Sequence, residues 1–109
     1  MSGPQVLADT LMEVSPTEYT RFVAHWLTHA DKLHAAPLLT GSPVVDALVA
    51  AAAAHVAFTA GDTVPAWAEE PARFLPSFWY PGPDALFPNA LVHSPLCFKL
   101  HGVLIERIR

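Results

Sequence analysis

Charge is scarce in this sequence. Only 15% of its 109 residues are Asp, Glu, Lys or Arg, where roughly 25% is usual. Disordered chains need the opposite composition, so a folded domain is expected. With few charges to coat its surface, that domain should carry an apolar exterior of the kind that marks an interface. Basic residues are scarcer still: six Lys and Arg against ten Asp and Glu, for a net charge of −4. No basic stripe precedes the final "ERIR", so direct nucleic-acid binding by this chain alone is not expected.

Other absences exclude further classes. Cysteine occurs once, at Cys97, which rules out an intramolecular disulfide and fits a reducing compartment. The opening "MSGPQVLADTLMEV" has neither a positive n-region nor a continuous apolar stretch, so it is not read as a signal peptide. The longest apolar run, "VVDALVAAAAAHVAFTA", is mostly alanine and carries Asp46 and His55. That makes a poor membrane span and a good buried helix. No glycine-rich phosphate loop, Ser/His/Asp arrangement or nucleotide fingerprint is present. A cytoplasmic, non-catalytic chain without membrane or cofactor is the resulting expectation. The length fits one domain over residues 1–109.

What is present is helix punctuation. Gly3 and Pro4 can open a short helix through Val14, with Leu7 and Leu11 on one side. "SPTEYTRFVAHWLTHADKLH" then shows Ser15 as cap, Pro16 at the first helical position and Glu18 completing a capping box. Tyr19, Phe22, Val23, Trp26, Leu27, Ala30 and Leu33 follow at helical spacing and predict a helix over 16–34. Arg21, His25, His29 and Lys32 form its polar ridge. The same grammar recurs with Ser42, Pro43 and the closing Gly61, predicting a helix over 43–60. Asp46 is the one charge in it, and a helix apolar nearly all round is buried on most sides. This is read as the central helix, its alanines allowing close approach by neighbours.

After Gly61 prolines recur every few residues, and no long helix survives that spacing. Short turns are expected over 65–69, 71–75, 84–92 and 94–101, with Gly102 as the last stop. "VLIERI" over 103–108 reads as a short strand. The fold class is therefore mainly α, with two longer helices, short helices in a proline- and aromatic-rich second half, and a short C-terminal strand.

Candidate chemistry is thin. His25 and His29 stand four apart, a spacing that can place two imidazoles on one metal. "HWLTH" lacks the carboxylate of a metalloprotease helix, and two surface histidines are the commoner case. Cys97 with His93 and His101 could form a thiol–imidazole pair, but a small buried cysteine is the usual outcome between Leu96 and Phe98. His55 reads as a core histidine, and of the carboxylates near the aromatic segment, Glu69, Glu70 and Asp84, the adjacent Glu69 and Glu70 read as solvent charges. The stretch "EEPARFLPSFWYPGPDALFP" reads as a stiff wrap over the long helices. Its aromatics supply core, an anchor cluster for a partner, or both, since Trp and Tyr are enriched in hot spots.

"GSPVVDALVAAAAAHVAF", "PAWAEEPARFLPSFWYP" and "ALVHSPLCFKLHGVLIERI" together resemble an actinobacterial antitoxin-like family over about residues 41–108. The resemblance rests on Pro65-Ala66-Trp67, Pro71-Ala72-Arg73-Phe74-Leu75, Trp79-Tyr80, and Ser94-Pro95 followed by Phe98, Gly102 and Ile105. In that family the domain commonly follows an Xre-type helix-turn-helix and lies beside a nucleotidyltransferase-type toxin gene. The resemblance implies an antitoxin-like or regulatory partner domain. This sequence departs from the pattern in showing no helix-turn-helix and in having "FKLHG" where consecutive arginines are frequent.

The expected function is thus non-catalytic binding of a protein partner, a toxin on the resemblance. The contact candidates are Trp67, Arg73, Phe74, Phe78, Trp79, Tyr80, Leu104, Ile105 and Arg107. A second reading is a small-ligand binder or enzyme with an apolar pocket lined by Trp26, His55 and Trp79. A third is a homo-oligomeric structural subunit.

Overall fold

The computed structural model describes residues 3–105. Helix α1 spans Pro4–Glu13, with Pro4 in its first turn and Leu7, Ala8 and Leu11 buried. A single 3-10 turn at Pro16–Glu18 leads into α2, Tyr19–Leu27. Helix α3 spans Pro43–Thr59. Three further 3-10 turns follow at Ala66–Glu69, Pro71–Arg73 and Asp84–Leu86. Helix α4 is Phe87–His93 and α5 is Leu96–Leu100. The chain is mainly helical, and the radius of gyration of 12.6 Å is that of a folded chain of this length.

Helix α3 is the axis of the fold. Ser42 accepts the Val45 N–H at 3.3 Å as its N-cap, and every residue from Val45 to Ala54 is buried. Helices α1, α2 and α5 and the turns at 66–69 and 71–73 all pack against it. A helix with no polar face has to be surrounded, and the alanine run lets its neighbours come close enough to do so. At its C-terminal end the cover runs out: Phe58, Thr59 and Ala60 are exposed, and Gly61, at φ +75°, turns the chain away.

The expected helix over 16–34 is corrected in both directions. Ser15 makes no side-chain cap bond to the helix; its hydroxyl instead pairs with that of Thr17 at 2.8 Å, and the first turn is 3-10. The helix then stops at Leu27. Thr28 turns its hydroxyl onto the His25 carbonyl, Asp31 accepts the Lys32 N–H, and Lys32 adopts φ +50°. Short polar side chains that bond to nearby backbone compete with helix propagation. Ala30 and Leu33 still pack against the core, but from irregular backbone.

The second half follows the proline spacing. Its strand is reduced, among the described residues, to one parallel bridge between Trp79 and Val103. The Trp79 N–H donates to the Gly102 carbonyl at 2.8 Å, and the Leu104 N–H to the Trp79 carbonyl at 2.9 Å. Residues 106–108 of the expected strand lie outside the described residues. Gly102 is at φ +85°, and a Cβ there would sit 2.9 Å from Leu75 Cβ. Only glycine meets both demands cheaply, because other residues strain in the left-handed region.

Candidate functional site

The 65–80 segment is fastened by polar groups to α3 and to the chain between α2 and α3. Arg73 is 1% exposed, and one guanidinium N–H donates to the Pro37 carbonyl at 2.8 Å. Its NH1 lies 3.9 Å from Asp46 Oδ1 on α3, and its Nε lies 3.9 Å from Glu70 Oε1. The guanidinium carbon stands 5.0 Å from the Trp67 ring centroid, in cation–π geometry. NH1 and Nε make no hydrogen bond, so the buried cation depends on its ionic neighbours. Asp46 Oδ1 in turn accepts the Thr40 N–H at 2.9 Å and the Thr40 hydroxyl at 2.8 Å. The Trp67 indole N–H donates to the Leu33 carbonyl at 2.8 Å. A lone charge inside an otherwise apolar helix demands a partner. Asp46 was therefore a legible signal for this network, though nothing in the sequence named Arg73 as its answer.

That network reassigns several contact candidates. Trp67 and Arg73 are buried within the chain and belong to its core; Leu104 and Ile105 are buried too, but line a cavity of about 250 Å³ with Tyr80. Arg107 lies outside the described residues. Trp79 is half-buried, with its ring 5.9 Å from Tyr19, and Tyr80 is half-buried with its ring edge-on to Phe87 at 6.0 Å. Phe74 is half-buried and stacks on His101 at 4.1 Å. Of the eight candidates among the described residues, Phe78 is the one that is exposed, at 48%.

Phe78 has apolar company that the sequence reading missed. Leu96 and Leu100 on α5 are 53% and 63% exposed, and Phe58 at the end of α3 is 59% exposed. Leu100 joins them into one surface. It lines a cavity of about 160 Å³ with Phe58, Phe74 and Leu96, and a second of about 290 Å³ with Leu75 and Phe78. In sequence, α5 reads as apolar on every side except at Lys99. Five helical residues are too few for a period to say which side faces out. Helix α5 turns Cys97 and Phe98 inward and Leu96 and Leu100 outward.

The smaller cavity also holds Glu69, Cys97 and His101. His101 Nδ1 lies 2.7 Å from the Arg73 carbonyl. A carbonyl only accepts, so Nδ1 carries the proton and Nε2 is the acceptor of the neutral ring. Burial pushes the imidazole below its usual pKa, and the nearby Arg73 charge acts the same way; the Arg73 carbonyl and Glu69 oppose them. Burial, and then the charge of Glu69, push the Cys97 thiol up. Cysteine chemistry needs a thiolate, so this environment suits a structural thiol rather than a nucleophile.

The remaining candidates separate. His25 and His29 are exposed and stacked with centroids 4.4 Å apart, and His29 Nδ1 is turned back onto the His25 carbonyl and Thr28 hydroxyl. Among the described residues no group of three His, Cys, Asp or Glu is placed to hold a metal. Trp26, His55 and Trp79 have separate surroundings. The Trp26 indole N–H donates to Gly3, His55 packs beside Phe98, and Trp79 packs on Tyr19. None of the three lines any cavity described above. Among the described residues no helix is long and apolar enough to cross a membrane.

A scan against family models finds no match for the chain, and neither do comparisons with curated proteins and solved structures.

Proposed function

We propose that this chain is a non-catalytic protein-binding domain, and that it meets its partner through the surface formed by Phe58, Phe78, Leu96 and Leu100. One observation carries the reading: four large apolar side chains from three parts of the chain, each about half exposed or more, border two adjoining cavities. Clustered exposed apolar area marks binding sites, whereas single exposed residues need no explanation. The raised Cys97 thiol and the turned-in His29 ring favour binding over catalysis.

The resemblance gives the partner a class. An antitoxin-like domain acts by covering a toxin, and an apolar face of large side chains suits that role because such anchors dominate protein interfaces. Co-expression with the product of the neighbouring gene tests the proposal. The two proteins should co-purify, and growth inhibition by the neighbour should be relieved. If they neither co-purify nor alter each other's effect on growth, the antitoxin reading is wrong.

A further inference from the structure

The small cavity between α3 and α5 combines a size with a polarity. Its volume is about 160 Å³, and Phe58, Leu96 and Leu100 form much of its wall. A protein cavity of about 150 Å³ lined by apolar side chains holds a benzene-sized body. The lining residues with polar side chains are Glu69, Cys97 and His101. Because His101 Nδ1 donates to the Arg73 carbonyl, its free nitrogen can only accept while the ring is neutral. An ionised carboxylate also only accepts, and a thiol donates weakly. The one nearby guanidinium is not available, since Arg73 is buried and faces Pro37, Asp46 and Glu70. The site thus offers an apolar wall and hydrogen-bond acceptors, with one negative charge on the exposed Glu69.

We propose that this cavity is a binding site for a small arylalkyl-ammonium group, its ring among Phe58, Leu96 and Leu100 and its N–H donors toward Glu69 and His101. The site goes beyond protein binding but shares Phe58, Leu96 and Leu100 with the proposed partner surface, so a bound protein would cover it, and titration of the chain alone reads the cavity apart from the partner. A neutral His101, its basicity depressed chiefly by burial, neither repels a cation nor loses its acceptor, and the Glu69 charge acts on it more strongly than the opposing Arg73 charge.

The test uses the whole chain, labelled with ¹⁵N, titrated near neutral pH with benzylamine, benzyl alcohol and benzoate. Benzylamine should shift the amides of Phe58, Glu69, Leu96, Cys97 and His101 in a saturable way. Benzyl alcohol should shift the same set more weakly, and benzoate should not. Glu69→Gln should weaken benzylamine roughly two- to fivefold, as expected for an exposed ion pair, and leave benzyl alcohol unchanged. Glu69 is exposed, so that variant is expected to fold. Benzoate binding as well as benzylamine would overturn the proposal. So would shifts remote from this cavity, or a Glu69→Gln variant with unchanged preference.

Discussion

Helix α3 and the segment wrapped on it, residues 65–80, are held in place by opposite means. Helix α3 is buried because it has no side to show: from Val45 to Ala54 every residue is buried. Apart from Asp46, its position rests on close-fitting neighbours, and alanines supply the fit. The wrap has little regular structure, with two 3-10 turns and a single bridge. It is placed by discrete polar links: Arg73 to Pro37 and Asp46, Trp67 to Leu33, and His101 to the Arg73 carbonyl. Packing tolerates many apolar sequences of the right volume, whereas a buried charge tolerates almost no loss of partner. A proline-rich segment can therefore be fixed in one position while leaving Phe78 exposed.

The largest expected effect strikes the link between the two regions. Asp46→Ala leaves the buried Arg73 without its α3 partner and should cost about 3–5 kcal/mol by urea denaturation. Adding Arg73→Met should recover most of that loss, because replacing both partners with apolar groups is often neutral. A cost below about 1 kcal/mol for Asp46→Ala would mean that packing alone holds the wrap.

A smaller effect should follow from filling the close contact on α3. Ala52 is fully buried, and Ala52→Leu should lower stability by about 1–3 kcal/mol through overpacking. Little change in the denaturation midpoint would show slack around α3 and blur the contrast between the regions.

Acid should act more gently. His101 and His55 are both pushed below the ordinary value of 6.5, chiefly by burial. The unfolded chain then takes up protons that the folded chain refuses. This contribution to stability is fully present above the unfolded value and is lost as pH falls through the folded pKa values. The melting midpoint should drop as pH falls below 6.5. His101→Asn keeps a side-chain N–H donor without a titrating ring, so it should flatten that slope. A midpoint that holds or rises over this range would contradict the direction of both shifts.

The same contrast explains how far the sequence could be read. Helix α3 was legible almost to the residue, since Ser42, Pro43 and Gly61 punctuate it and its apolar run has no breaks. The turns of the second half followed from proline positions. The end of α2 was not legible, because Thr28 and Asp31 decide it through local backbone bonds that hydrophobic spacing does not register. The exposed face was missed for a related reason. Trp67 and Arg73 look like surface anchors in a one-dimensional pattern, yet they answer a leucine carbonyl, a proline carbonyl and an aspartate brought in from far along the chain. Leu96 and Leu100 look like core, yet the two inward places on α5 go to Cys97 and Phe98.

Leu100→Asp separates binding from folding most directly. Leu100 is 63% exposed and borders both cavities, so its replacement should change stability by no more than about 0.5 kcal/mol. Co-purification of this variant with the product of the neighbouring gene should be lost while the wild-type chain retains it. A folded Leu100→Asp chain that still carries the partner as the wild type does would contradict the proposed binding surface.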